Sequence, residues 1–164
     1  MKKIIYLIIS AILLTYINAC AGYKPIFSSP NIQFQIVDYS IKGNKKIAKQ
    51  LYSKLFNLSN SNINNQGVQK VHISIEVTKE KIATVKNSAG KILEYKVNLN
   101  SNIVVKNFLT DDEVLSHNFA YFLSYKVLDQ YSETVKLENT TIENLVNKTY
   151  QDLLIKMSEN MSAE

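Results

Sequence analysis

The chain has 164 residues, 46% of them hydrophobic and 20% charged, with four Gly, two Pro, one Cys and no Trp. That is enough for one domain with a real core, and it argues against both a multidomain enzyme and a disordered chain. The net charge of +5 comes from Lys alone, Arg being absent; bidentate base or phosphate recognition usually recruits Arg, and an AT-rich genome accounts for the Lys bias equally well.

Lys2 and Lys3 form a positive start, followed by a run from Ile4 to Ile17 that is apolar apart from Ser10 and Thr15. The run is too short to span a bilayer stably and reads as a secretory signal over residues 1–19. It closes on Ile17-Asn18-Ala19-Cys20, with the only cysteine of the chain at its end. The run before Cys20 resembles the lipobox of bacterial lipoproteins, which implies acylation of Cys20 and removes the oddity of an unpaired thiol in an oxidising compartment. Stable anchoring generally takes more than one acyl chain, each buried methylene contributing roughly 0.8 kcal/mol. Residues 20–31 carry both prolines, Pro25 and Pro30, and read as the lipidated end and an extended tether.

A single domain is expected over 32–164. Ile32, Phe34 and Ile36 alternate with polar residues as a short strand. Ile47, Leu51, Leu55 and Leu58 then recur at helical spacing, with Asn44 as cap and Lys45, Lys46, Lys49 and Lys54 off the stripe. The helix ends in a polar loop from Ser59 to Gly67. Val71, Ile73, Ile75 and Val77 alternate strictly, and β-type composition continues to Val85. Asn87-Ser88-Ala89-Gly90 is a turn, and Leu93, Tyr95, Val97, Leu99, Ile103 and Val105 share one face of the next strand. After Thr110-Asp111-Asp112, residues Leu115, Phe119, Tyr121, Leu123 and Tyr125 make a fourth strand. Ser132 caps a long second helix in which Ile142, Leu145, Val146, Thr149, Tyr150, Leu153, Leu154 and Met157 recur at three and four.

Four one-sided strands and two one-sided helices solve each other's burial as an α/β (α+β) two-layer sandwich in the order β-α-β-β-β-α. The four-stranded sheet is mixed if the first strand pairs in parallel across the first helix. Strand order remains open at this level.

Catalytic chemistry is not expected. His72 and His117 have no ligand or base at useful spacing, Asp111, Asp112 and Glu113 fall in a hairpin turn, and Gly90 stands alone. Neither a metal nor a cofactor is implied, so the chain reads as a non-enzyme. Positive charge is concentrated instead: residues 42–58 carry five Lys and no acid. Lys86 and Lys91 flank the hairpin tip, with Lys79 and Lys81 further down the strand. Such a surface steers polyanions, and Lys79, Lys81, Lys86 and Lys91 are the candidate contacts. Behind an export signal the available polyanion is lipid or polysaccharide phosphate rather than nucleic acid.

The end of the signal resembles the lipobox of bacterial lipoproteins, and Ala21 after the cysteine resembles an outer-membrane sorting pattern. Cys20-Ala21-Gly22-Tyr23-Lys24-Pro25-Ile26-Phe27, the helix start Lys45-Lys46-Ile47-Ala48-Lys49-Gln50-Leu51, the meander and the long helix after Tyr131-Ser132 are together similar to the LPS-assembly lipoprotein (LptE) family, α-proteobacterial type. The resemblance implies a lipid-anchored, periplasm-facing outer-membrane protein, without enzymatic activity, that plugs the β-barrel of lipopolysaccharide transport and assists its assembly. Its implied partners are that barrel, lipopolysaccharide and the membrane. The competing reading is a free-standing envelope lipoprotein that binds phospholipid or serves a lipid transporter; it would need an apolar groove for acyl chains.

Overall fold

The structure, a computed structural model, describes residues 33–61 and 68–161. The signal, Cys20, the tether and Ile32 lie outside the described residues. Six elements follow in order: β1 (Phe34–Gly43), α1 (Lys45–Ser61), β2 (Gln69–Lys86), β3 (Ile92–Asn107), β4 (Glu113–Lys126) and α2 (Tyr131–Met161). The expected β-α-β-β-β-α order is the observed one.

The sheet runs β1-β2-β3-β4. The β1 strand pairs in parallel with β2, and β2, β3 and β4 form an antiparallel meander, so the sheet is mixed. Side chains alternate across it with period two. Val71, Ile73, Ile75 and Val77 of β2, Val97, Leu99, Ile103 and Val105 of β3, and Leu115 and Phe119 of β4 are buried on the face that both helices cover. Ile47, Ala48, Leu51 and Leu55 of α1 and Leu145, Leu153 and Met157 of α2 close the core from above. Each such Leu or Ile contributes roughly 1.5–3 kcal/mol on full burial. The opposite face of the sheet carries Ser74, Thr78, Asn98, Asn100, Asn102 and Asn118.

Local features depart from the periodic reading in three places. The first strand is ten residues long rather than a short alternation, because a bulge between Ile36 and Asp38 shifts its register on β2. Phe34 and Ile36 face the core ahead of the bulge; beyond it the parity inverts, and Tyr39 stacks on Tyr52 of α1 at 4.1 Å. The first helix runs two residues past Ser59, whose buried hydroxyl accepts a hydrogen bond from the Ile36 amide at 3.0 Å. A polar residue is thus held inside the helix by the strand it packs on. The second helix starts one residue before Ser132, and the Gln130 carbonyl accepts its first bond, from the Thr134 amide. Thr134 secures the approach to the helix through its hydroxyl, which accepts from the Leu128 amide at 2.9 Å. Asn44, by contrast, is the expected cap: its Oδ1 accepts from the Ile47 amide and its carbonyl from that of Ala48.

Candidate functional site

The candidate lysines lie on the part of the β2–β3 hairpin that outruns β1. Pairing between β1 and β2 ends at Gly43 and Val77, whereas β2 continues to Lys86. Gly43 adopts φ +72°, and an added Cβ would lie 2.2 Å from the Val77 carbonyl oxygen, so glycine is required where the chain leaves the sheet for α1. At the far end, Asn87 builds the turn. Its Oδ1 accepts from the Ala89 and Lys91 amides, its carbonyl accepts from Gly90, and Gly90 sits at φ +79°. Lys86 and Lys91 are therefore held on either side of a well-bonded turn.

The four lysines divide into two pairs. Lys79 and Lys81 continue the odd-numbered parity of Val77 and so point to the helix side, where α2 presents Glu138. The Glu138 carboxylate accepts from Lys81 Nζ at 2.6 Å, from the Tyr125 hydroxyl at 2.8 Å and from Lys79 Nζ at 3.4 Å. Lys81 Nζ also lies 4.2 Å from the Tyr95 ring centre, a cation–π contact. Burial opposes both charges, lowering Lys81 and raising Glu138, but the hydrogen bond and attraction between them outweigh it. The net result is a Lys81 ammonium held above the ordinary lysine range and a Glu138 carboxyl held below the ordinary carboxylate range. Burial, with the Glu138 charge, raises the Tyr125 phenol against the opposing pull of Lys81. Lys79 and Lys81 are thus paired within the fold and offer a polyanion little free charge.

Lys86 and Lys91 remain on the surface. Lys91 approaches Asp129 at 3.9 Å with both groups well exposed, a pair that solvent screens. Lys86 has no ion-pair partner among the described residues. The first turn of α1 carries Lys45 and Lys46 with no acidic residue, and Lys42 precedes it; these too lack a carboxylate partner among the described residues. Sequence reasoning grouped all four hairpin lysines by charge. Parity already separated them, since residues 79 and 81 must share the face of 71 to 77; what a one-chain pattern did not reveal was Glu138 as their common partner.

A cleft of about 540 Å³ opens between α1 and α2 beside this end of the sheet, lined by Ile47, Ile142 and Val146 and rimmed by polar groups that include Lys46, Lys79 and Glu138. The residues weighed for catalysis are dispersed. His72 Nδ1 bonds Asp38 at 2.9 Å, His117 packs edge-on against Phe119, and Asp111 pairs with Lys106 at 3.2 Å. Among the described residues no group of three His, Cys, Asp or Glu side chains is placed to hold a metal.

No family model and no curated protein sequence matches the chain. Solved structures do. Uncharacterised lipoprotein B from Nitrosomonas europaea superposes with a TM-score of 0.59 at 15% identity, covering 87% of this chain and 94% of that one. A minor lipoprotein from Acinetobacter baumannii gives 0.55 at 11% identity over 78% and 93% of the two chains. A structure from Caulobacter crescentus CB15 gives 0.56 at 9% identity over 76% and 90%. At such identities the likeness is one of fold, and the domain built from residues 33–161 has the fold of these structures.

Proposed function

We propose that this chain is a lipoprotein, anchored in the outer membrane through Cys20 and facing the periplasm, that plugs the β-barrel of lipopolysaccharide transport and assists its assembly without an active site of its own. The observation that carries the reading is the run Cys20-Ala21-Gly22-Tyr23-Lys24-Pro25-Ile26-Phe27, of the LPS-assembly lipoprotein kind, placed directly ahead of this domain. The fold likeness to the Nitrosomonas europaea and Acinetobacter baumannii lipoproteins supports it. So does the physical character of the domain: a two-layer core, an outer sheet face that is largely polar apart from residues such as Phe122 and Ile82, and lysines at one end without a carboxylate partner among the described residues. A free-standing phospholipid carrier needs a deep apolar groove. The cleft between the helices offers three aliphatic side chains, Ile47, Ile142 and Val146, against nine polar or charged ones, which is little to hold an acyl chain.

The test is extraction of the tagged full chain from native membranes in mild detergent, with the bound species identified by mass. Recovery of a large outer-membrane β-barrel near one to one is expected. Recovery of the chain alone, with phospholipid, or with an inner-membrane transporter refutes the reading. Lipopolysaccharide contact is assigned to Lys86 and Lys91 rather than to the internally paired Lys79 and Lys81. The double charge reversal Lys86→Glu, Lys91→Glu should weaken binding to immobilised lipopolysaccharide at unchanged unfolding temperature, and unaltered binding removes these residues from the proposal.

A further inference from the structure

Beyond Val77 the second strand has a neighbour on one side only. In β2 the odd-numbered backbone groups point towards β1 and the even-numbered ones towards β3: the Gln69 amide donates to Gln33 and the Asn44 amide to the Val77 carbonyl, whereas the Lys70 carbonyl accepts from Phe108. Pairing with β3 holds one register from Val71 to Ala83, so the alternation persists over that stretch. The N–H and C=O groups of Lys79, Lys81 and Ala83 consequently face outward, with no backbone partner among the described residues. The vacancy is built by the backbone. Gly43 turns the chain out of the sheet, and the register shift after Ala83 ends the regular edge at the other side.

Two further observations define what this edge suits. The cleft between α1 and α2 reaches Asn44 and Lys79, so it opens directly over the edge. A strand added there would send alternate side chains towards Lys46 and the cleft, because cross-strand neighbours share a face. The charges around the edge are predominantly basic: Lys42, Lys45, Lys46 and Lys86 have no carboxylate partner among the described residues, Lys79 and Lys81 are taken up by Glu138, and Lys54 and Glu143 also line the cleft. Two copies of this chain pairing edge to edge would bring these like charges together. We infer that the edge from Thr78 to Ala83 receives an extended, acidic segment of a partner protein, which adds to the sheet in line with β1 and sets alternate carboxylates against Lys46 and Lys86. Main-chain bonds supply the affinity of such an addition, and the side chains on the cleft side supply its selectivity.

The experiment measures amide hydrogen exchange, residue by residue, on the full chain in detergent, with and without a capped eight-residue peptide of alternating Val and Glu. At saturating peptide, exchange at Lys79, Lys81 and Ala83 should slow at least about tenfold. The even-numbered amides between them, already bonded to β3, should change little. A peptide of alternating Val and Lys should bind at least about tenfold more weakly. Ala83→Pro removes an outward N–H while leaving the bonds to β3, and should abolish the protection at Lys79 and Lys81. Should that variant not fold, Lys46→Glu with Lys86→Glu serves instead and should weaken the Val-Glu peptide about tenfold. The inference is overturned by unchanged exchange at millimolar peptide, or by equal affinity for the Val-Lys peptide. Slow exchange in the free chain also overturns it: independent of concentration, it means that a segment of this same chain occupies the edge; rising with protein concentration, it means a second copy does.

Discussion

Replacing Glu138 with Ala removes the acceptor shared by Lys79, Lys81 and Tyr125. Exposure of the two principal side chains, 33% for Lys81 and 20% for Glu138, puts the pair between a screened surface bridge and a buried one. Counting about 1 kcal/mol for each of the two short bonds, at 2.6 and 2.8 Å, gives about 2 kcal/mol. For a domain of this size that corresponds to roughly 6–10 °C in Tm. Two consequences of the loss push the same way: Lys79 and Lys81 are left side by side as like charges, and the Tyr125 hydroxyl loses its acceptor. The pH dependence has a defined sign. Glu138 titrates lower in the folded chain than unfolded, so its contribution is present above the ~4.3 of a free glutamate and is lost as pH falls through the folded value. Lys81 titrates higher when folded, so its contribution is present below ~10.4 and is lost as pH rises through the folded value. Urea unfolding of wild type, Glu138→Ala, Lys81→Met and the double variant measures both the cost and the coupling. A cost below about 0.5 kcal/mol, or additive single effects, would refute the view that the cluster clamps α2 to the hairpin.

Gly43→Ala should cost at least about 3 kcal/mol, since the new Cβ meets the Val77 carbonyl and the backbone is left-handed there; a loss under about 1 kcal/mol in urea unfolding contradicts it. The Ser101 hydroxyl is buried on the core face of β3 with no hydrogen-bond partner among the described residues, so Ser101→Ala should leave stability unchanged or raise it by about 1 kcal/mol, and a clear loss would reveal a partner. Burial, then the hydrogen bond to Asp152 and its charge, push the Tyr121 phenol up to about 12. Phenolate absorbance should show this late titration, and Asp152→Asn should bring it down towards the ordinary tyrosine range. A Tyr121 titration that ignores Asp152→Asn would contradict the pairing.

Periodicity carried most of the architecture. The β2 run from Val71 to Val77 is read correctly because one face is buried and the other wet, and the α1 stripe of Ile47, Leu51 and Leu55 for the same reason. It failed where a single residue changes phase. The bulge at Val37 conceals the second half of β1, since Tyr39 and Ile41 stand at the opposite parity from Phe34 and Ile36 in the sequence. Caps were legible only when local: Asn44 bonds its own first turn, whereas Ser59 bonds Ile36, at 23 residues' separation. The candidate site divides in the same way. The turn at Asn87 and the lysines beside it lie in one short stretch of sequence, but the pairing that internalises Lys79 and Lys81 depends on a glutamate near the other end of the chain.

The position of α2 bears on how the chain reaches its native state. Its 31 residues come last among the described elements and supply Leu145, Leu153 and Met157 to the core, packed over β3 and β4. Until they emerge from a ribosome or a translocation pore, Val97, Leu99, Ile103, Val105, Leu115 and Phe119 form a ready-made apolar sheet face with no cover. The meander is local enough to assemble early, so an incomplete chain would present that face to its surroundings for as long as its last helix is withheld. Completion of α2 is thus the step that covers the apolar face of β3 and β4.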